Sequence, residues 1–519
     1  MRVCYDKSTM MNRSDTKLYI VGAGFAGQMI AQDIARKKIF GKVSAFLDDD
    51  KDLIGKKIDG IPVLGPIDDI APIAAQNAMS EAIIAMPSAS GERIREVYEL
   101  LKRAGILHIR ILPSISQVVS GTAHLVQIRD VNMLDILGRT PIILPLGESL
   151  KYLRGKRVMI TGAGGSIGSE LARQLLSGGA ERLYLFGHGE NSIVNIYREL
   201  HVLQTEGVGE KAQVVPIIGD IKDRAYMQYI MAKTHCDAVF HCAAYKHVPM
   251  MEDNPVAVIE NNVFGTKNLL DACLENNVEK FVLISTDKAV APVSTYGVSK
   301  MLCEKLLLSA AKKAKNGQSY MFVRFGNVLG SRGSLLPIFM EQLKAGQPLT
   351  VTHPDMERYF MTIPEACSLV LEAGGVGENG KSYLLDMGEP IKILDFAKQV
   401  IRFAGFEPYK DVDIKIVGLR EGERLFEPLW LKEEEPKPTK WEKILELKNI
   451  EPTTFNLDEL LKELAPICLG FEQESGTVDK EKYRNKALLN EILCRAVPTL
   501  AQFLEEIKSH KDEINADNK

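Results

Sequence analysis

Two apolar runs that each end in a glycine-rich turn most constrain the fold of this chain. Residues 157–160 form one such run, and residues 161–168, TGAGGSIG, follow them directly before a helix-length segment at 169–177. Residues 18–21 are followed in the same way by residues 22–27, GAGFAG. Glycine permits the tight turn from strand to helix and lets the backbone approach a phosphate group at the helix N-terminus. Both turns therefore predict parallel α/β units of the kind that bind nucleotides.

Further apolar runs extend each glycine-rich turn into an array of alternating strands and helices. The first array has predicted strands at 18–21, 43–47, 82–85 and 109–112 and a predicted helix at 92–104. The second has predicted strands at 157–160, 183–186, 214–218, 238–240, 281–284 and 321–325. Alternation of this kind is typical of a parallel sheet covered on both faces. The predicted fold class is α/β, with two Rossmann-like doubly wound parallel-sheet domains, a smaller substrate lobe and a helical C-terminal tail.

The pattern divides the chain into four parts. Residues 1–124 are predicted to form an N-terminal Rossmann-like domain of the nucleotide- or CoA-binding type, and residues 125–155 a linker. Residues 156–435 are predicted to form the catalytic domain, whose less regular part after Pro337 indicates the substrate lobe. A charged, proline-bearing stretch near 433–438 indicates the start of a helical, charged extension at 436–519. In that extension Asn456 and Glu459 are predicted to cap a helix with leucines at helical spacing.

Composition excludes several classes of protein. The chain has 64 Lys and Arg against 68 Asp and Glu, so its balance gives no reason to expect a nucleic-acid partner. Eight cysteines occur without a Cys-x-x-Cys pair, which indicates reduced buried thiols and no structural metal site. No apolar run reaches the roughly 18 residues that a membrane span needs, and the polar N-terminus does not resemble a signal peptide. A cytoplasmic location, or a peripheral one at a membrane, is therefore predicted.

The richest chemistry follows the predicted strand at 281–284. Residues 285–288 are Ser-Thr-Asp-Lys, and Tyr296 and Lys300 come shortly after them at a spacing that places both on one face of a helix. An ammonium group beside a phenol favours the phenolate, so Lys300 is expected to lower the pKa of Tyr296. Asp287 and Lys288 add a second acid/base pair that alcohol oxidation does not need. This segment predicts oxidation plus a further proton transfer, the alternative for Asp287 and Lys288 being a surface ion pair.

The sequence does not distinguish NAD from NADP. The strand at 183–186 ends in Gly187, His188 and Gly189, with neither an acid for a ribose 2′-hydroxyl nor an arginine for a 2′-phosphate. Asp220 follows the next strand and could meet the adenine, or could simply cap the strand end. The first array has the fuller NAD pattern, because its second strand is followed by residues 48–50, Asp-Asp-Asp. No proton-handling residues follow that turn, so a degenerate or regulatory nucleotide site is equally expected there.

Several motifs together resemble the extended short-chain dehydrogenase/reductase superfamily, and within it the CapD-like polysaccharide-biosynthesis family of nucleotide-sugar 4,6-dehydratases. The similarity runs from about residue 18 to residue 435. It is carried in order by residues 161–168, 187–193, 243–252, 261–266, 285–288, 324–331, 358–362 and 418–423. Two features depart from the family: its members usually begin with transmembrane helices, and many long relatives carry Met in place of Tyr296. A naturally soluble member and a truncated one are both compatible with this sequence.

The resemblance implies a UDP-N-acetylglucosamine 4,6-dehydratase that makes a UDP-4-keto-6-deoxy-sugar for surface glycan biosynthesis. Tyr296, assisted by Lys300, would take the proton of the sugar 4-hydroxyl as hydride leaves C4. Lys288 would remove the C5 proton, and protonated Asp287 would deliver a proton to the departing 6-hydroxyl. Hydride would return to C6, and Thr286 would hydrogen-bond the 4-oxygen. The implied cofactor is NAD or NADP, tightly bound and recycled, with no metal and in a homo-oligomer.

The same resemblance implies two sets of binding residues. The predicted cofactor set is Gly162, Gly164, Gly165, Ser166, Ile167, Gly168, His188, Asp220, Ile221, Ala243, Ala244 and Lys300. The predicted substrate set is Lys246, His247, Asn327, Arg358, Arg420 and Glu423, with the two arginines as candidates for the diphosphate and uridine. A structural role is the alternative for either arginine and the more expected one for His247.

Two other functions remain open. A nucleotide-sugar epimerase would share the cofactor turn, Tyr296 and Lys300 but would not need Asp287 and Lys288. A non-catalytic nucleotide sensor or scaffold would use the first array for a ligand and the tail for a partner, and the four proton-handling residues argue against it.

Overall fold

The structure, a computed structural model, describes residues 17–37, 42–77, 79–106, 108–112, 129–130, 150–205, 207–209, 211–441, 443–448, 455–470 and 479–506. The chain divides into two compact units, residues 1–144 and residues 145–519. Most of the predicted linker at 125–155 lies outside the described residues. In the described part of the chain, no helix is long and apolar enough to cross a membrane.

The first unit contains a seven-stranded sheet in the order β3-β4-β2-β1-β5-β6-β7. Its strands are β1 Lys17–Val21, β2 Lys42–Leu47, β3 Lys57–Ile58, β4 Ile61–Leu64, β5 Glu81–Ile84, β6 His108–Ile111 and β7 Arg129–Asp130. Its helices are α1 Phe25–Lys37, α2 Ile70–Asn77 and α3 Gly91–Arg103, with a 3₁₀ turn at Ile67–Asp69. Pairing is parallel except at the outer strands β3 and β7. The four strands and the helix predicted in this array are confirmed.

The second unit contains a nine-stranded sheet in the order β10-β9-β8-β11-β12-β13-β18-β22-β21, whose last two strands are β22 Ile444–Lys448 and β21 Glu435–Pro438. Its first seven strands are parallel, and they are β8 Arg157–Thr161, β9 Arg182–Gly187, β10 Gln213–Ile218, β11 Ala238–His241, β12 Lys280–Ile284, β13 Ser319–Arg324 and β18 Ser382–Leu385. Three small sheets pair β14 Asn327–Leu329 with β17 Phe360–Thr362, β15 Leu349–Val351 with β20 Ile414–Ile416, and β16 Glu357–Arg358 with β19 Ile391–Lys392. All six strands predicted in this array are confirmed.

Helices flank the second sheet. They are α4 Ser166–Ser177, α5 Glu190–Thr205, α6 Arg224–Thr234, α7 Val248–Asp253, α8 Pro255–Val258, α9 Gly265–Glu275, α10 Thr295–Lys313, α11 Leu335–Lys344, α12 Ile363–Val376, α13 Ile393–Phe403, α14 Leu457–Cys468 and α15 Lys486–Ala496. A π-helical segment at Ile259–Phe264 joins α8 to α9, and 3₁₀ turns occur at Lys151–Leu153 and Asp287–Ala289. The predicted fold class is confirmed in both units, because each has a parallel sheet of Rossmann type with connecting helices.

The order of strands fixes where a ligand can enter the second unit. The chain runs outward from β8 through β9 to β10, then returns to add β11 and β12 on the other side of β8. In such sheets the turns after the two central strands leave in opposite directions, and a crevice opens at their carboxyl ends. That crevice lies between the turns that follow β8 and β11.

The predicted boundary at residue 436 is wrong in one respect. The segment after it is not entirely helical, because β21 Glu435–Pro438 and β22 Ile444–Lys448 form a hairpin that pairs antiparallel with β18. Hydrophobic periodicity did not reveal these strands, since β21 alternates proline with charge. The predicted helix beyond them is confirmed as α14, and the side chain of Asn456 accepts hydrogen bonds from the backbone N–H groups of Asp458 and Glu459.

Apolar side chains of α14 and α15 belong to the same core cluster as those of α10. The C-terminal helices are also joined to the body of the second unit by polar contacts. Arg484 pairs with Glu260 at 2.7 Å, and Thr499 Oγ1 donates to the carbonyl oxygen of Pro292 at 2.9 Å. The helical tail therefore packs against the body of the second unit.

Candidate active site

A cleft lies at the crevice between β8 and β11. It is lined by Gly162, Gly164, Gly165, Phe186, Gly187, His188, Gly189, Ser192, Gly219, Asp220, Ile221, Cys242, Ala243, Ala244, Tyr245, Asn261 and Arg332. Eight of the twelve predicted cofactor residues are among these, namely Gly162, Gly164, Gly165, His188, Asp220, Ile221, Ala243 and Ala244. Three further lining residues were not predicted from the sequence. Ser192 and Asn261 lie within recognised motifs, and Arg332 directly follows one.

Two glycines of this cleft have no room for a side chain. Gly162 adopts φ +68°, and a Cβ placed on it would lie 2.8 Å from the backbone nitrogen of Ala243. A Cβ on Gly164 would collide with the side chain of Ser192. The turn after β8 is thus pressed against its neighbours, and the backbone stays open to a ligand that approaches it closely. The residues present fit a dinucleotide.

Ser166, Ile167 and Gly168 form the first turn of α4 rather than the wall of the cleft. The hydroxyl of Ser166 accepts a 3.1 Å hydrogen bond from the backbone nitrogen of Arg332. The carbonyl oxygen of Ile167 accepts from Cys367 Sγ, and a Cβ on Gly168 would collide with the Gly162 carbonyl. These three residues hold the glycine-rich turn in place.

The residues that follow β9 and β10 in the cleft do not distinguish NAD from NADP. His188 is exposed after β9, and no carboxylate of the β9 strand end lines the cleft. Asp220 accepts a hydrogen bond from the backbone nitrogen of Lys222 at 2.9 Å and lies 3.5 Å from that residue's ammonium. This geometry is that of a strand-end cap, the alternative considered for Asp220 from sequence.

The acid/base residues meet at the end of β12. Asp287 is 1% exposed, and its Oδ1 accepts hydrogen bonds from Thr286 Oγ1 at 2.8 Å and from Lys288 Nζ at 3.1 Å. Its Oδ2 is buried without a hydrogen-bond partner among the described residues. Lys288 Nζ also donates to Asn327 Oδ1 at 3.2 Å. The pair is partly buried rather than a solvated surface pair, since the side chain of Lys288 is 20% exposed.

Tyr296 lies in the first turn of α10, which Ser294 caps by accepting from the backbone nitrogen of Gly297. Its phenol is buried close to the side chain of Thr286. The predicted lowering of the Tyr296 pKa is wrong. Burial, followed by the negative charge of Asp287, raises the pKa of Tyr296. Lys300, on the same helix face, directs its ammonium to the carbonyl oxygen of Ile284 at 2.6 Å.

Asn262 ties three parts of the site together. Its Oδ1 accepts from the backbone nitrogen of Tyr245 at 2.9 Å, and its Nδ2 donates to the Tyr245 carbonyl at 3.0 Å and to Ser299 Oγ at 2.9 Å. Ser299 in turn donates to the carbonyl oxygen of Tyr296. The π-helical segment that carries Asn262 therefore fixes both the turn after β11 and the start of α10. Sequence analysis quoted this residue only as part of a motif.

A buried histidine connects the strand that precedes the glycine-rich turn to a neighbouring helix. His241, at the end of β11, hydrogen-bonds Thr161 Oγ1 at 2.7 Å and Thr266 Oγ1 at 2.8 Å. Burial, and then the nearby charge of Lys300, lowers the pKa of His241 to about 3. The imidazole is therefore neutral at ordinary pH and acts as a fixed bridge between the strand before the glycine-rich turn and α9.

Lys246 and His247 follow β11 and contact Ser331 and Gly333, which lie after β14. Lys246 Nζ donates to Ser331 Oγ at 3.3 Å, and desolvation followed by the charge of Lys288 lowers the pKa of Lys246. The imidazole of His247 packs against Gly333, where a Cβ would collide with the ring. Lys246 thus lies near Lys288, whereas His247 has the packing role that was the more expected one.

The predicted arginines occupy different environments. Arg358 is buried, and its Nη atoms donate to the carbonyl oxygens of Glu357, Leu425 and Arg424 at 2.7–2.9 Å. It holds the turn at 424–425, the structural alternative considered for it, and this geometry does not present it to a diphosphate. Arg420 is exposed, and its backbone nitrogen donates to Glu423 Oε2 at 3.3 Å. The intervening Gly422 lies against Ser294 and Val248, so this turn borders α10.

Two charged residues near the acid/base pair were missed from sequence. Glu427 is 4% exposed and lies 3.9 Å from Arg358 Nη2. Burial raises the pKa of Glu427, with Lys288 opposing the rise and Asp287 adding to it. Arg424 is half-buried, and the charges of Glu427 and Asp287 act on its guanidinium. The available signal was their nearness to the 418–423 motif, which Arg424 follows directly.

Comparisons with known proteins agree with this architecture. A family described as "Polysaccharide biosynthesis protein" matches residues 158–449, and one described as "CoA-binding domain" matches residues 6–113. Capsular polysaccharide biosynthesis protein CapD of Staphylococcus aureus is 39% identical over 427 residues, which cover 82% of this chain and 70% of CapD. UDP-glucose 4-epimerase of Rickettsia rickettsii is 34% identical over 289 residues, 54% of this chain and 79% of the epimerase. The X-ray structure of Pen from Bacillus thuringiensis covers 58% of this chain and 91% of Pen, with 29% identity and a TM-score of 0.52.

Proposed function

Because the chain belongs to the family of polysaccharide biosynthesis proteins that includes CapD, we propose that it is a UDP-N-acetylglucosamine 4,6-dehydratase. The observation that carries the proposal is the position of Lys288, whose amine lies between Asp287 Oδ1 and Asn327 Oδ1 at the end of β12. An amine held there, close to the dinucleotide cleft and to Tyr296, is suited to proton abstraction. Oxidation of an alcohol alone has no use for it.

Tyr296 would act first. Its phenol lies close to the side chain of Thr286, and the two hydroxyl groups would together receive the sugar 4-hydroxyl. Burial favours the protonated phenol of Tyr296, and the charge of Lys300 would favour the phenolate as the 4-hydroxyl proton is taken. The glycines 162 and 164, with Ala243 and Ala244, would hold NAD or NADP, which supplies reversible hydride acceptance.

Lys288 and Asp287 would then act on the 4-keto sugar. The ketone acidifies the C5 proton, and a neutral Lys288 would remove it while a protonated Asp287 supplies a proton to the 6-hydroxyl. The proton that Asp287 needs as an acid lies in the hydrogen bond that Lys288 Nζ donates to Asp287 Oδ1. Transfer of one proton from the ammonium to the carboxylate converts the ionised pair into a neutral base and a neutral acid.

The substrate set includes one replacement. Lys246 and Asn327 border Lys288 and would contact the sugar. Arg358 holds backbone carbonyls, so the half-buried Arg424 takes its place as the candidate for the diphosphate. Arg420 and Glu423, on the exposed turn beside α10, would face the uridine.

Mass spectrometry of the nucleotide sugars after incubation with UDP-N-acetylglucosamine tests this proposal. A product lighter by one water, about 18 Da, formed without net cofactor consumption, is the expected result. An isomer of unchanged mass would instead establish an epimerase. No product from either UDP- or dTDP-sugars would refute catalysis on nucleotide sugars.

The epimerase is the second candidate because of the similarity to the Rickettsia protein. Lys288→Met separates the two functions. A dehydratase with this substitution should bind cofactor and fail to eliminate water. An epimerase that relies on Tyr296 and Lys300 should lose little activity.

A further inference from the structure

A buried ion triad lies directly behind the acid/base pair. Arg324 donates to Glu304 in a bidentate arrangement, from Nε to Oε1 at 2.8 Å and from Nη2 to Oε2 at 2.7 Å. Its Nη1 donates to Glu434 Oε2 at 2.7 Å. The three side chains are between 1% and 4% exposed. None of them has a role in the proposed reaction.

Each member of the triad comes from a different element of the site. Glu304 lies on α10, four residues after Lys300 and eight after Tyr296, and it accepts a 2.6 Å hydrogen bond from Ser285 Oγ. Ser285 precedes Thr286, so the carboxylate of Glu304 joins the helix that carries Tyr296 to the strand end that carries Asp287. Arg324 ends β13, and the next carbonyl, of Phe325, accepts from the Asp287 backbone nitrogen at 3.2 Å.

Glu434 connects this cluster to the segment at 424–434. Its Oε2 also accepts from the backbone nitrogen of Leu431 at 2.9 Å, so the carboxylate closes a turn while it binds Arg324. The other end of the segment is held by Arg358 through the carbonyls of Arg424 and Leu425. Two buried guanidinium groups therefore fasten the segment that carries Arg424 and Glu427.

Stability alone does not explain such a triad. Removing three charges from water is costly, and apolar side chains of similar volume often give equal or greater stability. Bidentate ion pairs do fix distance and orientation, because the guanidinium fork accepts only a narrow range of geometries. A cluster that joins four elements of one site is therefore suited to setting their relative positions.

We propose that Arg324, Glu304 and Glu434 are positioning residues, and that Glu434 seats the segment 424–434 so that Arg424 and Glu427 face the bound nucleotide sugar. This inference rests on the proposed function for the identity of the ligand. Arg324 and Glu304 set the strand end and helix that carry the acid/base groups. Glu434 sets the segment that meets the substrate's anionic part.

Glu434→Gln, with Glu435→Gln as its control, tests the proposal. Glu435 is the next residue, half-exposed, and pairs at the surface with Lys437 at 3.3 Å. KM and kcat with UDP-N-acetylglucosamine, the affinity for UDP by calorimetry, bound cofactor and the melting temperature would be measured in the full chain. We expect Glu434→Gln to raise KM and weaken UDP binding by roughly tenfold, with a smaller change in kcat and unchanged cofactor content. Glu435→Gln should match the wild type.

Equal KM and equal UDP affinity in Glu434→Gln and the control would overturn the proposal. A variant that fails to fold is replaced by Glu434→Asp, which keeps the charge but shortens its reach to Leu431 and Arg324. Glu434→Asp should raise KM by an intermediate factor, and an unchanged KM would again overturn the proposal. UDP binding separates this test from the reaction, because a wild type that binds UDP but does not dehydrate the sugar refutes only the proposed function.

Discussion

The ammonium of Lys300 donates a 2.6 Å hydrogen bond to the carbonyl oxygen of Ile284. Ile284 is the last residue of β12, and the turn with Ser285, Thr286 and Asp287 follows it. The lysine that sequence pairs with Tyr296 therefore also fastens α10 to the strand end beside the cleft. Lys300 couples the position of the phenol to that of the acid/base pair.

Lys300→Met should impair both oxidation and cofactor retention, because it removes a buried charge beside the cleft and leaves the Ile284 carbonyl without its donor. Bound dinucleotide, released by denaturation and quantified by chromatography, is the measurement. Lys312→Met, on the exposed end of the same helix, is the matched control and should retain wild-type content. Equal cofactor content in the two variants would argue against this role.

Lys288→Met should separate the two halves of the proposed reaction. Tyr296 and Lys300 are untouched, so oxidation at C4 should still reduce the bound cofactor, whereas elimination should fall by a factor of roughly 10²–10⁴. Absorbance of the reduced nicotinamide after mixing with UDP-N-acetylglucosamine reports the first half, and mass spectrometry the second. Lys267→Met, which breaks a half-buried ion pair with Asp271 on α9, serves as the control. Dehydrated product at a wild-type rate would show that another group removes the C5 proton.

The rate of cofactor reduction should rise with pH, because burial and the charge of Asp287 raise the pKa of Tyr296. Asp287→Asn removes the negative charge that opposes the phenolate. The pH dependence of single-turnover reduction should therefore move to lower pH in this variant. Asp253→Asn, an exposed carboxylate change, should leave the curve in place. A curve unmoved in Asp287→Asn would mean that Asp287 carries no charge during oxidation.

The stability of the fold should depend on pH through His241. The folded pKa is about 3, below the unfolded value of roughly 6.5, so the unfolded state binds the extra proton between these values. Stability is then fully present above the unfolded pKa and declines as pH falls toward the folded pKa. The expected slope is at most about 1.4 kcal/mol per pH unit. Urea unfolding at pH 7 and pH 5 should show a smaller difference for His241→Asn, and an equal difference would contradict this assignment.

Gly164→Ala should abolish cofactor binding, because the added methyl group would collide with Ser192 and displace the turn after β8. Ser192→Gly removes most of that collision and should restore part of the binding in the double variant. Gly24→Ala in the first unit meets no atom within 4 Å and should fold normally. Dinucleotide content of the purified proteins is the readout, and full retention in Gly164→Ala would show that the cleft is looser than these distances require.

The parallel sheets were predictable because their strands are buried on both faces and appear as continuous apolar runs. The site was predictable where it follows a strand directly, as Gly162 does after β8 and Asp287 after β12. Motifs place residues at strand ends, and topology then brings those ends together. Chain order alone was therefore sufficient to predict the glycine-rich turn after β8 and the position of Asp287 after β12.

Contacts that depend on side-chain direction were not predictable. Arg358 begins one recognised motif and Arg424 directly follows another, yet only the structure shows that Arg358 binds backbone carbonyls. The sign of the Tyr296 pKa shift was likewise wrong, because it depends on burial and on Asp287 rather than on the spacing to Lys300. Glu434 is one of three consecutive glutamates, and sequence could not tell which of them is buried.

The hairpin of β21 and β22 also determines how one margin of the large sheet ends. β22 occupies the free side of β18, and β21 becomes the outermost strand, with Pro436 opposite Leu447 and Pro438 opposite Leu445. Proline has no N–H to offer a further strand, and the glutamate and lysine that alternate with it discourage apolar stacking. The sheet is thereby closed to lateral growth at this margin. A chain cut before residue 435 would leave β18 as an unprotected template for self-association.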